Sequence, residues 1–247
     1  MKAMVGYGVF QKPDMLRWIC EGIQENFPAE TPVMFYFEAD NSDGQDILDV
    51  AGLGVELGLN IFPPGASDDH LLEHGIHRRL IEMFMEDTDC DCLIIPHDDN
   101  RFQRPLIPDL EKLWDKYGTS LGWISGRDGY DDGYRDMVSS PFSQSTGAVK
   151  QAIPIGEYRE VKMMNTGPVV YFRHVIERVG LPDPDMAWYW WDDYALRCGQ
   201  AGLTNILLSM DCLHEKFGRL SNNPELYSDV VVADGMKKLR ERWGNVL

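Results

Sequence analysis

Long apolar runs are missing from this sequence: no stretch approaches the roughly 20 consecutive residues that a membrane-spanning helix needs. The amino-terminal MKAMVGYGVF carries one lysine and no extended apolar segment ending in small residues, so no secretory leader is expected. Basic charge is scarce too. The chain holds 23 Lys and Arg against 40 Asp and Glu, a formal net charge of −17. That disfavours a nucleic-acid acceptor held mainly through phosphate contacts, without forbidding a local basic patch. It also means that an anionic ligand gains from a bridging divalent cation. Cysteine is sparse and unpatterned. Cys20, Cys90, Cys92, Cys198 and Cys212 are an odd number, and the C-x-C pair has no second pair to complete a zinc site. Reduced thiols and a cytoplasmic location are expected. There is no internal repeat and no clear linker.

What is present is globular material in a repeating order. Hydrophobic residues make up 44% and charged residues 26%, so 247 residues suffice to bury a large core. MVGYGVF (Met4–Phe10) predicts a first strand, and Leu16, Ile19 and Ile23 mark a helix from Asp14 to Asn26. PVMFYFEA (Pro32–Ala39) is apolar almost throughout, as a buried parallel strand is. A helix over Gln45–Leu57, a short strand at GLNIF (Gly58–Phe62) and a helix capped by Ser67 and running to Glu86 come next. DCLIIP (Asp91–Pro96) is a fourth strand. Gly126–Tyr158 is polar and glycine-rich and reads as a long loop. Beyond it lie a strand at Gly167–Phe172, a helix ending at Gly180, another ending at Gly202, a strand at Asn205–Ser209 and a basic helix over Val230–Trp243. This alternation implies right-handed βαβ units, hence an α/β fold with a mainly parallel central sheet flanked by helices. A single domain is expected, with halves 1–102 and 103–247.

In such sheets ligands bind beyond the carboxyl ends of strands. Three polar clusters fall there: Tyr7–Gly8, DNSDG (Asp40–Gly44) and the HDDN of IIPHDDN (His97–Asn100). Two carboxylates and an amide oxygen suit magnesium or manganese, although the same residues also make a plain polar turn. Asp40 is placed to accept hydrogen bonds from a base or ribose. Further on, Trp188, Tyr189, Trp190 and Trp191 run into Asp192 and Asp193. One reading is a buried aromatic cluster with carboxylates at a helix N-terminus. The other is a platform for sugar rings beside a carboxylate that takes a hydroxyl proton. His70, His74 and His77 share a helix face at metal-ligating spacing, but a structural role is preferred. Arg78 and Arg79 are candidates for phosphate contacts, and His214 follows a strand.

Taken in order, these segments resemble the GT-A glycosyltransferases, and within them the inverting family 2 enzymes, over Met4 to Gly218. DNSDG resembles that family's acidic turn after a strand, one residue shortened. Gly65–Ile76 is similar to its glycine and helix beside the nucleotide, and IIPHDDN to its metal motif. The most specific match is GPVVYFRHVIERVGLPDPDMAWYWWDDYALR: strand, arginine, short helix, G-x-x-D, aromatics and a carboxylate pair. Its W-D-D resembles galactofuranosyl- and rhamnosyl-transferases.

The resemblance implies a nucleotide-diphosphate sugar donor, a UDP-sugar first, with a hydroxyl acceptor, Mn2+ or Mg2+ as cofactor, and inversion by direct attack. It implies donor contacts at Tyr7, Asp40, Gly65, Arg78 and Asp98. The metal would be held by Asp98, Asp99, Asn100 and His214. Acceptor contacts fall to Trp190, Trp191 and Gly167, and the general base is Asp193, with Asp192 next. Asn100 stands where the family has an aspartate. A catalytically silent nucleotide-sugar or glycan-binding module is therefore the alternative. A nucleotidyltransferase ranks third, because GYGVFQKPDM offers only Lys12 after the first strand.

Overall fold

The first strand is buried because a helix lies directly on it, and two glycines make that approach possible. β1 (Ala3–Val9) carries Gly6 and Gly8, and a Cβ added at Gly8 would stand 2.3 Å from the Ile76 Cγ2. Any side chain there would hold the helix off the sheet. The computed structural model describes residues 1–9, 13–37, 44–63, 65–66, 71, 73–97, 100–126, 128–131, 134–138, 152–214 and 228–244, and structural statements here concern those.

Along the chain follow α1 (Pro13–Asn26), β2 (Pro32–Phe37), α2 (Gly44–Leu57), β3 (Asn60–Ile61), β4 (Gly65–Ala66), α3 (Glu73–Asp87), β5 (Cys92–Ile95) and β6 (Asn100–Phe102). The second half holds α4 (Ile107–Tyr117), β7 (Leu121–Ser125), β8 (Asp128–Asp131), β9 (Tyr134–Val138), β10 (Ala152–Ile153), β11 (Tyr158–Glu160), β12 (Met163–Met164) and β13 (Val169–Phe172). It ends with α5 (Arg173–Val179), α6 (Trp190–Gln200), β14 (Thr204–Leu208), β15 (Cys212–His214) and α7 (Asp229–Trp243).

The central sheet runs β11-β14-β7-β13-β5-β1-β2-β3, with β4 also on β2. The β5, β1, β2, β3 and β4 pairings are parallel, and so is β7 with β14; β13 and β11 run antiparallel to their neighbours. The mainly parallel sheet read from the alternation is therefore present. Its strands are buried almost throughout, as sheets covered on both faces require. α3 presents Ile76, Leu80, Ile81 and Phe84 to this core.

Three departures have physical causes. The helix expected from Ser67 begins at Glu73; residues 67–70 lie outside the described set. Gly126–Tyr158 is not simply a loop. Its β8–β9 hairpin joins β10 and β12 in a second sheet, paired Asp128↔Met137 through Asp131↔Tyr134. The strands are too short and polar to show a period. Finally, α4 and β7 are not among the expected elements. Leu106, Leu110 and Leu113 at helical spacing, all buried, are the missed signal.

Arg173 links the halves. Its guanidinium donates to the Phe84, Met85, Thr88 and Cys90 carbonyls at 2.8–3.4 Å and lies 4.6 Å over the Phe84 ring. It thus supplies the donors that the C-terminal turn of α3 lacks. The five cysteines are free and buried.

Candidate active site

β5 is followed by Pro96 and His97, and the chain turns back at once into β6. The turn is closed by Asn100: its amide N–H donates to the His97 carbonyl at 3.0 Å, and its side-chain Oδ1 accepts from the His97 N–H at 3.2 Å. From below, the buried Tyr7 hydroxyl donates to the Asn100 carbonyl at 3.3 Å. β6 then pairs antiparallel with β15, and the residue opposite Asn100 is His214. Such cross-strand neighbours stand about 4.5–5.5 Å apart at Cα, so a residue from far along the chain is fixed beside the acidic turn.

The first turn of α3 meets the same turn. Glu73 Oε1 lies 2.9 Å from His97 Nε2 and 4.0 Å from His77 Nε2. Burial would raise the Glu73 carboxyl. The His97 hydrogen bond, the electrostatic interactions with His97 and His77 and the Thr166 hydroxyl outweigh it and bring the pKa down to about 2. His77 is the opposite case. Burial holds it neutral, at about 3, with the Glu73 carboxylate opposing and the neighbouring His97 and His74 adding to the fall. Tyr171 keeps its proton, because burial raises it well above 10, and its hydroxyl shares a hydrogen bond with His77 Nδ1 across 3.0 Å. The His77 ring meets Trp190 edge-on at 4.7 Å. Contacts thus run unbroken from the acidic turn through α3 to the start of α6.

α6 begins abruptly. Tyr189 before it sits at φ 61, the one non-glycine residue at positive φ among those described. Asp192 and Asp193 occupy its first turn, where the helix dipole favours them. They face different surroundings. Asp193 is 0% exposed. Its Oδ2 accepts from Arg197 Nε at 3.0 Å, and its Oδ1 from Arg242 Nη1 and Trp243 Nε1, both at 2.8 Å. Asp192, also buried, is near enough to Tyr189 that its charge joins burial in raising that phenol.

Neither a protein-family model nor a curated protein matches the chain. Solved structures do. The S. aureus TarS fragment 1-349 in complex with UDP-GlcNAc superimposes with a TM-score of 0.54 at 11% identity, over 85% of this chain and 56% of that one. GalNAc-T7 with UDP, GalNAc and Mn2+ gives a TM-score of 0.64 at 12% identity, over 100% of this chain and 48% of that one. The fold is that of the GT-A glycosyltransferases. The chain spans about half the length of these two neighbours.

Within the GT-A frame the expected site residues divide. Asn100 and His214 come together, as does the Gly167 segment, whose Thr166 reaches Glu73. Asp40, Asp98 and Asp99, and the His214 side chain, lie outside what is described. Gly65 pairs with Tyr36 in β4, at the edge of the sheet. Other expectations are corrected. Tyr7 is fully buried and supports the turn instead of facing a donor. Arg78 is engaged within the protein, its Nη1 donating to the Pro182 carbonyl at 2.5 Å. Trp190 is fully buried and Trp191 nearly so, edge-to-face with each other, so Trp190 has no open face for a sugar. Trp188 and Tyr189 are the half-buried rings of that run. His74 and His77 are engaged by the Pro184 carbonyl and Tyr171, as structural histidines.

Glu73, Thr166, Arg242 and Trp243 drew no functional reading from the sequence. A carboxylate opening a helix is a common sight, and Arg242 and Trp243 reach Asp193 across 49 and 50 residues with no local pattern. Among the described residues no cluster of His, Cys, Asp and Glu could hold a metal ion, and no helix is long and apolar enough to cross a membrane.

Proposed function

We propose that the protein is a metal-dependent glycosyltransferase. It moves a sugar from a nucleotide-diphosphate donor, a UDP-sugar first, to an acceptor hydroxyl with inversion, within one domain. The observation that carries this reading is the pairing of His214 with Asn100 directly after the acidic turn, on a GT-A fold. Support also comes from TarS, solved with UDP-GlcNAc, and from GalNAc-T7, solved with UDP, GalNAc and Mn2+. Asp98, Asp99 and His214 form a donor set suited to Mn2+ or Mg2+. Asn100 shapes the turn, because its oxygen already serves the His97 amide. A cation held there supplies charge neutralisation at the leaving diphosphate. Asp40 and Gly65 stay assigned to the nucleotide.

For the base we place Asp192 ahead of Asp193. Asp193 is 0% exposed, with both oxygens already held by three donors, which leaves an acceptor hydroxyl no approach to it. Trp188 and Tyr189 replace Trp190 and Trp191 as the aromatic contacts for the acceptor. The W-D-D pattern keeps galactofuranosyl and rhamnosyl transfer first among sugars, and the five buried free thiols suit a cytoplasmic location.

The test is nucleotide release from a panel of nucleotide sugars with Mn2+, repeated after chelation. Cation-dependent release from wild type, lost in Asp192→Asn, is expected. Measurable donor binding with no release or transfer from any donor would instead favour the silent binding module.

A further inference from the structure

Among the described residues α7 is attached lightly. Only Gly235 and Leu239 of its residues are buried, so little apolar area holds it. Its polar contacts with the other described residues converge on one segment. Lys238 Nζ donates to the Asp185 carbonyl at 2.6 Å, and Arg242 donates to Asp183 at 2.5 Å and to Asp193 at 2.8 Å. Trp243 Nε1 donates to the same Asp193 oxygen at 2.8 Å. Gly235 lies under the Trp188 carbonyl, so close that a Cβ would come within 2.5 Å of that oxygen. On its other side Trp243 borders an open hollow of about 540 Å³ with Leu196, Leu203 and Asn205.

These pins bracket Tyr189, the residue at φ 61. A non-glycine residue in that region is strained and persists where its surroundings over-determine it. Here the surroundings are Trp188 on one side, seated against Gly235, and Asp193 on the other, gripped by Arg242 and Trp243. The backbone of residues 179–184 is held from elsewhere, and α7 reaches this stretch at the Asp183 side chain, through Arg242. Arg197 holds the Val179 and Leu181 carbonyls, Tyr194 holds that of Gly180, and Arg78 and His74 hold those of Pro182 and Pro184. The stretch whose backbone does depend on α7 is 185–193, which carries Asp192.

We propose that α7 is a clasp which, through Asp193, holds Tyr189 in its left-handed conformation and thereby sets the orientation of Asp192. Asp193, Arg242 and Trp243 are positioning residues, and release of α7 lets the first turn of α6 rotate out of register with the site. The assignment of Asp192 as base rests on the reading under Proposed function; the clasp itself does not.

The experiment uses the full chain and two variants, Arg242→Leu/Trp243→Phe and the milder Arg242→Lys, which keeps a charge but cannot reach both carboxylates. Hydrogen exchange is followed by peptide. Amides in 186–193 should exchange at least tenfold faster in the double variant, and less so in Arg242→Lys, while 73–87 stay as in wild type. Where wild type turns over a nucleotide sugar, kcat should fall at least tenfold with the donor KM within twofold. Unchanged exchange at 186–193 overturns the clasp. So does a uniform rise across 73–87 as well, which would make α7 a general stabiliser. If wild type transfers no sugar, the functional reading fails alone and exchange still decides the clasp; should the double variant not fold, Arg242→Lys decides it by the same criterion.

Discussion

Asp193→Asn and Asp192→Asn should differ in stability: the first should unfold more easily and lose turnover through misplacement of Asp192, the second should fold well and lose turnover directly. In Asp193→Asn the side chain keeps one oxygen for three donors, and its new amide faces a guanidinium. Hydrogen bonds to charged groups are each worth about 1.5–3 kcal/mol, and stranding a buried ion by removing its partner costs about 3–5 kcal/mol. The lower end applies here, because neither arginine is stranded. Arg242 is 41% exposed and keeps Asp183; Arg197 keeps the Val179 and Leu181 carbonyls. The expected loss is about 3 kcal/mol, which at an m-value of about 3 kcal/mol per molar urea lowers the unfolding midpoint by about 1 M. Asp192→Asn keeps the side-chain shape and weakens the dipole interaction at the start of the helix, worth about 1 kcal/mol or less. It should nonetheless lower nucleotide release by about 10²-fold or more, the usual contribution of a general base. Urea unfolding and nucleotide release on the same preparations read both quantities. If Asp193→Asn keeps the wild-type midpoint and loses turnover while Asp192→Asn does the reverse, the two roles are exchanged and the reasoning from buried partners is wrong.

Three further outcomes follow from the packing. His77 is held neutral in the folded protein, its pKa lowered from 6.5 to about 3, so the unfolded chain binds its proton first. This contribution to stability is therefore complete above about pH 6.5 and drains away as pH falls toward 3; between pH 7 and 5 it amounts to about 2 kcal/mol. His77→Phe should remove that part of the pH slope in urea midpoints, and an unaltered slope would count against the buried-neutral state. Gly8→Ala places a methyl 2.3 Å from Ile76 Cγ2 and should cost about 1–3 kcal/mol; Ile76→Ala in the same chain should recover part of it in a double-mutant cycle. Arg173→Met strips donors from four carbonyls, at about 3 kcal/mol, and hydrogen exchange should show fraying confined to the last turn of α3.

Much of the frame could be read from residues because its signals are local. MVGYGVF and DCLIIP are continuous apolar runs, and both became buried parallel strands of the central sheet. The acidic turn is visible in the same way, as polar residues directly after a strand. What stayed hidden is set by pairings across long separations. Nothing local tells that His214 lies opposite Asn100, or that the β8–β9 hairpin folds out of a glycine-rich stretch. The tryptophan run shows the limit differently. A Trp-Tyr-Trp-Trp sequence suits a sugar platform and a buried cluster equally well. Burial is decided by Trp123, Tyr171 and His77, none of them nearby in sequence.

The carboxylate pair is the instructive case, because a decisive clue was already present. Neighbours on a helix point about 100° apart, so a helix with one face on the core cannot direct Asp192 and Asp193 to the same place. Arg197 stands four residues after Asp193, the spacing at which an acidic residue and a following basic one pair on a helix. The carboxylate with such a partner is the one tied down, and its neighbour is the one turned elsewhere. Alignment to a family motif ranks Asp193 first by position. Helix geometry ranks it second, and the C-terminal helix, arriving with Arg242 and Trp243, adds two more reasons of the same kind. A carboxylate that three donors hold in a fully buried place is fitted to keep its direction, and so to fix the first turn of the helix that also carries Asp192.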